Sequence, residues 1–206
     1  PAYGTFDLSG QTRPMEKVGG DFFDFIPVTD KILGLAIADV SGHGLPAALV
    51  VRDVYMGLRM ATDRDFKIIR TLQKLNHIIH RGRLTTKFVS LFYGELETGG
   101  ILIYCNAGHN PPLVVGATGF RRLECGGPIV GLFESASFEE ETVTLSRGDW
   151  LIVFSDGVSE ALSATGEEYG ESRILTVVQS HLNVEPQKLL EAVFSDVREF
   201  AKGAAQ

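Results

Sequence analysis

Three aspartates in this chain occur where apolar runs meet glycine-containing turns, and together they could bind a metal ion. Asp21 follows a Gly-Gly pair, Asp39 ends an apolar run, and Asp156 ends another run more than a hundred residues later. Asp and Gly are also common turn residues, so a single copy of this pattern would indicate only a turn. Three copies at strand ends indicate carboxylates that share one cleft, where one pair at ~4 Å repels by roughly 4 kcal/mol. A hard divalent cation relieves such repulsion, so the sequence predicts an acidic metal site.

The composition is that of a soluble globular domain. The chain has 206 residues, 44% of them hydrophobic and 22% charged, which is enough for one domain with a full core. The net charge is −7 and the basic residues are scattered, which argues against nucleic-acid binding. Its first residues lack signal-peptide features, and its apolar runs are too short to span a bilayer. We therefore expect a single cytoplasmic domain over residues 1–206, without membrane contact.

The spacing of apolar residues predicts the elements that must position the aspartates. Alternation predicts strands at 5–9, 22–28, 32–38, 88–97, 101–108, 113–115, 120–123, 141–145 and 150–154. Helical spacing predicts helices at 46–61, 66–80, 172–182 and 186–201. The first of these has one mostly apolar face, made of Ala47, Leu49, Val50, Val54, Met56, Gly57 and Met60. This order does not show the regular strand–helix alternation of a Rossmann fold, and it favours an α+β protein with packed antiparallel sheets flanked by helices.

The cysteines and two histidines carry weaker signals. Cys105 and Cys125 lack metal-site spacing and lie in or beside apolar segments, so we expect free buried thiols rather than a disulfide. His43 and His109 lie in glycine-containing turns, where hydrogen bonds to the backbone are the expected role. Two other roles stay open: His43 supporting the metal ligands from behind, and His109 contacting the phosphate of a substrate.

Six segments, in order, resemble the PPM-type serine/threonine phosphatases of the bacterial SpoIIE and RsbU-like branch. They are Val18–Phe25, Ala38–Leu49, Phe88–Gly94, Asn106–Pro112, Gly127–Gly131 and Asp149–Ala161. The resemblance implies a sandwich of two antiparallel β-sheets with helices outside and a Mn²⁺ or Mg²⁺ pair at one end. It also implies metal-dependent hydrolysis of phosphoserine or phosphothreonine.

The same resemblance implies the roles of individual residues. Asp21 and Asp39 match the two early metal-site aspartates, with Asp39 bridging both ions, and Asp156 matches the later one. Val40 matches the position that offers a backbone carbonyl, and Asp24 belongs to the same motif, either as a ligand or as a support for the ligands. Oxygen ligands suit Mn²⁺ or Mg²⁺, whereas zinc would call for His or Cys.

A metal-activated water would attack phosphorus in such a site, so Asp21, Asp39 and Asp156 would act in catalysis through that water. No protein nucleophile is then needed. Ser41 and Ser155 lie beside the ligands, but the sequence lacks the Gly-x-Ser-x-Gly elbow of a serine hydrolase.

The resemblance implies a phosphorylated partner, an anti-sigma-factor antagonist of a bacterial partner-switching pathway, and an upstream sensor domain in the full-length protein. A homodimer stays open. Two alternatives remain: an inert binding module of the same fold, and a hydrolase of small phosphorylated metabolites, for which the sequence shows no compact basic pocket. The family also has a late Asp-Asp-x-Thr strand, which the sequence up to Gln206 does not contain. We therefore expect a C-terminally incomplete domain that lacks its last core strand and has one weakened metal position.

Overall fold

The structure, a computed structural model, describes residues 2–13, 19–62, 67–82 and 88–203. Its strands are Ala2–Tyr3 (β1), Phe6–Asp7 (β2), Asp21–Thr29 (β3), Ile32–Val40 (β4), Val89–Glu97 (β5), Ile101–Ala107 (β6), Leu113–Gly116 (β7), Gly119–Arg122 (β8), Gly126–Gly127 (β9), Glu141–Thr144 (β10) and Trp150–Ile152 (β11). Its helices are Gly44–Thr62 (α1), Ile68–Arg81 (α2), Asp156–Ser159 (α3), Gly170–Ser180 (α4) and Pro186–Phe200 (α5).

Two sheets form the centre of the molecule. The larger one has the strand order β10-β6-β5-β4-β3, with the short β9 added in parallel beside β6. The smaller one has the antiparallel order β11-β7-β8. The hairpin between β3 and β4 sets a register that brings Asp21 directly opposite Asp39. The chain thus places two of its acidic residues side by side at one end of the larger sheet.

Alternating side chains divide the core into three layers, because successive residues of a strand point to opposite faces. On β4, Leu33 and Leu35 lie in the layer between the two sheets, whereas Ala36 and Ala38 pack in the layer under α1 and α2. On β7, Leu113 packs in a third layer with α4 and α5. This confirms the predicted α+β sandwich of two sheets flanked by helices.

Most element boundaries agree with the predictions within a few residues, and the differences are local. The predicted strand at 5–9 forms only part of a two-residue pairing between β1 and β2, and the strand predicted at 150–154 ends at Ile152. Phe66, the predicted start of the second helix, lies outside the described residues. Both cysteines are free, as predicted; Cys105 is buried, whereas Cys125 is only half-buried. None of the helices described combines the length and apolarity that crossing a bilayer requires.

Candidate metal centre

Asp21, Asp39 and Asp156 meet at one end of the sandwich. Asp21 begins β3, Asp39 is the penultimate residue of β4, and Asp156 begins α3, four residues after β11 ends. One carboxylate oxygen from each lies within 4.8 Å of the others. The larger sheet therefore supplies two carboxylates and the loop after the smaller sheet supplies the third.

The cluster repels itself electrostatically. Partial burial raises the pKa of Asp39 to about 6, and the charges of Asp156 and Asp21 act in the same direction. Burial also raises the pKa of Asp21; a hydrogen bond from Ser155 opposes that shift, and the charge of Asp156 adds to it. Each carboxylate is thus harder to ionise beside the others, which is the condition that a divalent cation would relieve.

Backbone oxygens add to the carboxylates beside Gly20. A Cβ atom at Gly20 would lie 2.6 Å from the Val40 carbonyl oxygen and 3.4 Å from both Asp39 Oδ1 and the Gly42 carbonyl oxygen. Oxygen atoms therefore converge on a point that only glycine leaves open. Carboxylate and carbonyl oxygens are the ligands that Mg²⁺ and Mn²⁺ prefer, so the residues present fit such an ion. Among the residues that the structure describes, no His or Cys belongs to the group.

Gly20→Ala tests this convergence. The added methyl would push the end of β4 away, and we expect the affinity for Mn²⁺ to fall by roughly tenfold, about 1.4 kcal/mol. Isothermal titration calorimetry gives the affinity, and circular dichroism checks the fold. Gly99→Ala is the matched control, because no atom lies within 4 Å of a Cβ at Gly99. Equal Mn²⁺ affinity in the two variants would show that the Gly20 contact does not shape the metal site.

Asp24 lies in the same motif but outside the cluster. Its Oδ2 accepts hydrogen bonds from Arg59 Nη2 at 2.7 Å and from Arg59 Nε at 3.2 Å. Arg59 also stacks over the Tyr55 ring, which contacts Phe22 edge-on. Since Asp24 is three residues from Asp21 on a strand, its side chain points to the other face of the sheet, toward α1. Its role in the structure is to attach α1 to β3.

Both serines beside the ligands have partners within the fold. Ser155 Oγ donates to Asp21 Oδ2 at 3.0 Å, and Ser41 Oγ accepts the backbone N–H of Phe88 at 3.1 Å. Ser155 thereby orients a carboxylate of the cluster, and Ser41 holds the loop between β4 and α1. These contacts give each serine a positioning role.

His109 lies in the turn after β6 and contacts the strand next to Asp39. Its backbone N–H donates to Asn106 Oδ1 at 2.8 Å, and Asn106 Nδ2 donates to the His109 carbonyl at 2.9 Å, which closes the turn after β6. Its ring Nδ1 shares a 2.8 Å hydrogen bond with Ser90 Oγ, and Ser90 is the cross-strand partner of Asp39. Burial lowers the pKa of His109 to about 4, against the opposing effects of the Phe154 carbonyl and Asp156. The ring is therefore neutral at physiological pH and ties the turn after β6 to Ser90 on β5.

Sequence reasoning missed three of these contributors: Gly20, Ser90 and Arg59. Gly20 and Ser90 lie inside the segments that indicated the family, but their contacts depend on strand register. Arg59 is 35 residues from its partner Asp24, and one charged residue on a helix carries no signal of such a pairing.

His43 is exposed in the loop before α1.

The raised pKa of Asp39 predicts how the metal-free chain responds to pH. The pKa of the Asp39 carboxyl is higher in the folded state than in the unfolded state. The folding stability of the chain therefore falls as the pH rises from the unfolded-state pKa, 3.8, toward about 6. The pKa of His109 is lower in the folded state, so this residue has the opposite effect: the folding stability of the chain falls as the pH drops from 6.5 toward about 4. The two effects oppose each other in the wild type, so the comparison of wild type with Asp39→Asn isolates the first.

We expect Asp39→Asn to unfold at a higher temperature than the wild type at pH 7.5 in excess chelator. The gap should close as the pH approaches 4. Thermal unfolding followed by circular dichroism across that range measures it. A gap that does not change with pH would mean that Asp39 is not under electrostatic strain.

The comparisons with known proteins agree with this geometry. The family model described as stage II sporulation protein E (SpoIIE) matches residues 29–206, which is most of the chain. The chain belongs to the SpoIIE family. This confirms the family that the six sequence segments indicated, the SpoIIE and RsbU-like branch of the PPM-type phosphatases.

Two relatives show how the chain relates to longer proteins. It is 25% identical to Protein IcfG of Synechocystis sp. over 89% of this chain and 34% of that protein. It is 23% identical to Phosphoserine phosphatase RsbU of Bacillus subtilis over 96% of this chain and 59% of that protein. The chain therefore spans about a third of one relative and about three fifths of the other.

Solved structures confirm the fold. The SiaA-PP2C domain of Pseudomonas aeruginosa superposes with a TM-score of 0.79 at 17% identity, covering 94% of this chain and 78% of that one. The RsbU and RsbW domains of Rv1364c from Mycobacterium tuberculosis give a TM-score of 0.73 at 25% identity, covering 92% and 52%. Solved structures with this sandwich thus include a PP2C domain.

Proposed function

We propose that this chain is a divalent-metal-dependent phosphatase domain that hydrolyses phosphoserine or phosphothreonine in proteins. The observation that carries the proposal is the convergence of three carboxylates within 4.8 Å at the end of the sandwich in a SpoIIE-family chain. The names of two relatives, Phosphoserine phosphatase RsbU and Phosphoserine phosphatase RsbP of Bacillus subtilis, support the reaction type.

In this proposal Asp21, Asp39 and Asp156 are the metal ligands, Asp39 is the bridging one, and Val40 contributes its carbonyl oxygen. The ions would be Mn²⁺ or Mg²⁺; RsbX, a protein of similar fold at 15% identity, has been solved in complex with magnesium. Two such ions supply a water of lowered pKa and neutralise phosphate oxygens. Because the described residues contain only three grouped carboxylates, we expect one ion to be held tightly and the second weakly.

The residues around the ligands keep the carboxylates in place. Ser155 fixes one oxygen of Asp21 by its hydrogen bond. Neutral His109 ties Ser90, opposite Asp39, to the turn after β6. The chain's own contribution is thus a pre-formed acidic cleft, whose ligands need little reorganisation when an ion binds.

We propose further that the substrate is a phosphorylated protein of the anti-sigma-factor-antagonist type in a partner-switching pathway, within the cytoplasm. The RsbU and RsbP relatives support this choice, as does the similarity to a structure that contains RsbU and RsbW domains. The sequence-based expectation of a sensor domain in the full-length protein belongs to the same proposal.

Substrate preference tests the proposal. Phosphate release is measured with Mn²⁺ present on a phosphoserine protein, a phosphotyrosine peptide and a small sugar phosphate. We expect the phosphoserine protein to be hydrolysed at least about tenfold more efficiently, in kcat/KM, than the other two. A preference for the sugar phosphate would replace the proposal with a metabolite hydrolase. Bound Mn²⁺ with no turnover of any of the three would indicate a binding module.

A further inference from the structure

The loop that leads from the larger sheet to the smaller one passes the metal end of the sandwich. It comprises residues 108–112, which join β6 to β7, and we call it the crossover loop. β6 ends near the start of β5, and β7 begins opposite the last residue of β11. Asp39 lies next to the start of β5, and Asp156 follows the end of β11 by four residues. The crossover loop therefore joins the two regions of the fold that supply the carboxylates.

Hydrogen bonds and backbone geometry make the crossover loop rigid. Asn106, a buried residue just before it, accepts the backbone N–H of His109 at 2.8 Å and donates to the His109 carbonyl oxygen at 2.9 Å. Gly108 adopts a φ of +69°, and a Cβ atom there would lie 2.4 Å from Ile129 Cγ1. The loop ends in two consecutive prolines at 111–112, whose rings fix φ. Its path is thus set at both ends and in the middle.

Two neighbouring residues of the crossover loop bind the two regions of the site. The His109 ring shares its hydrogen bond with Ser90 on β5 of the larger sheet. Asn110 Nδ2 donates to Ser159 Oγ at 3.0 Å, and both of these side chains are half-buried. Ser159 is the last residue of α3, the helical turn that Asp156 begins. One short loop therefore contacts the larger sheet through one residue and the turn of α3 through the next.

The α3 turn is attached to the rest of the fold at both ends. The backbone N–H of the residue after the turn donates to the Asp156 carbonyl oxygen at 2.7 Å, which closes the turn. At its start, Ser155 Oγ donates to Asp21 Oδ2 at 3.0 Å. At its end, Ser159 Oγ accepts the hydrogen bond from Asn110. A single helical turn has too few hydrogen bonds to be stable alone, so these two contacts help to fix where the Asp156 side chain lies.

We propose that Asn110 is a positioning residue of the metal centre: through Ser159 it holds Asp156 at the separation from Asp39 that suits a small divalent ion. This inference rests on the metal site proposed above and adds the residue that sets its width. Asn110 acts through the α3 turn rather than by touching the ion. Because its amide donates to the Ser159 hydroxyl, alanine at either position removes the same hydrogen bond.

Ion size gives this role a measurable signature. Mg²⁺ requires oxygen ligands at about 2.0–2.1 Å in near-ideal octahedral geometry, whereas Ca²⁺ accepts ligands at about 2.3–2.6 Å in flexible geometry. A carboxylate that is held less firmly still reaches the larger ion, but it meets the stricter geometry of the smaller one less often. Loss of the Asn110 contact should therefore weaken binding of Mg²⁺ more than binding of Ca²⁺. A change that only lowered the stability of the fold would leave the ratio of the two affinities unchanged.

Asn110→Ala and Ser159→Ala test the contact. We expect each to lower the Mn²⁺ affinity in isothermal titration calorimetry about fivefold, less than the tenfold or more that is typical of a direct partner of a ligand. The double variant N110A/S159A should lower it no further, because all three variants lack the same hydrogen bond. Ser159→Thr keeps the hydroxyl and should bind Mn²⁺ as the wild type does. Ser180→Ala is the matched control, because Ser180 likewise ends a helix, α4, where its hydroxyl donates to the Val177 carbonyl oxygen at 2.8 Å.

Competition against Mn²⁺ gives the affinities for Mg²⁺ and Ca²⁺. We expect the ratio of Mg²⁺ affinity to Ca²⁺ affinity to fall about threefold or more in Asn110→Ala and in Ser159→Ala, with circular dichroism showing a folded chain. An unchanged Mn²⁺ affinity in either alanine variant, additive losses in the double variant, or a constant ratio would overturn the role of Asn110. A wild type that binds no Mn²⁺ would instead refute the metal site on which this inference rests. None of these measurements depends on phosphatase activity.

Discussion

Asp39→Asn should abolish measurable binding of Mn²⁺ while the chain stays folded. Asp39 lies opposite Asp21 on the neighbouring strand, and a carboxylate oxygen of each lies within 4.8 Å of one from Asp156; we propose Asp39 as the ligand that both ions share. Asparagine keeps the volume and removes the charge. In isothermal titration calorimetry we expect the affinity to fall by at least a hundredfold, about 2.7 kcal/mol.

The control for this variant is Asp30→Asn. Asp30 is an exposed aspartate in the turn of the same β3–β4 hairpin, at the opposite end of the strands. It loses the same charge and should bind Mn²⁺ as the wild type does. If Asp39→Asn bound Mn²⁺ with unchanged affinity, the acidic cluster would not be the metal site.

Catalysis should depend on Asp156 far more than on the serines beside it. If water bound to the metal ions attacks phosphorus, no covalent enzyme intermediate forms. We expect Asp156→Asn to reduce phosphate release more than about a hundredfold because it removes a ligand. Ser155→Ala removes only the hydrogen bond that orients Asp21, and losses of about tenfold are typical of such outer positions.

Ser41→Ala is the second control, since the Ser41 hydroxyl accepts the backbone N–H of Phe88 and holds a loop. Intact-mass spectrometry during turnover should detect no phosphorylated enzyme in the wild type. A phosphoryl group trapped on Ser155 or Ser41, or an inactive Ser155→Ala with a normal Mn²⁺ affinity, would point to a serine nucleophile instead.

The predictable part of the fold was the part set by local pattern. The β3–β4 hairpin follows from alternation on both sides of a short turn, and its register brings Asp21 opposite Asp39. The two-residue strand β9 could not be predicted, because Gly126 and Gly127 have no side-chain periodicity and pair with β6 only in the folded chain. The short helix α3 likewise begins at a residue that the sequence indicated only as a ligand.

The same division holds at the site. The gathering of the three aspartates was predictable, since Asp39 and Asp156 end apolar runs and Asp21 begins one, although Asp156 begins α3 rather than ending a strand. The pairing of Asp24 with Arg59 was not, because it depends on how α1 crosses β3. The contact between His109 and Ser90 was not either, although both residues lie in segments that indicated the family. Side-chain partners that come from different elements depend on packing, and one sequence does not encode that packing in its spacing.

Helix α1 shows a limit of hydrophobic periodicity. Apolar residues at helical spacing predict a buried face, and for Ala47, Val50 and Val54 that holds. Leu49, Met56 and Met60 fit the same spacing loosely but lie on the opposite side of the helix. Only the structure separates the residues that pack on the sheet from those that face outward.

The most direct test of the central claim is the release of phosphate from a phosphoserine protein as Mn²⁺ is added to the chelator-treated chain. We predict no release in excess chelator, and a rise with Mn²⁺ that Asp39→Asn does not show and Asp30→Asn does. Release in excess chelator at the rate seen with saturating Mn²⁺ would contradict the assignment of this acidic cluster as the catalytic metal centre.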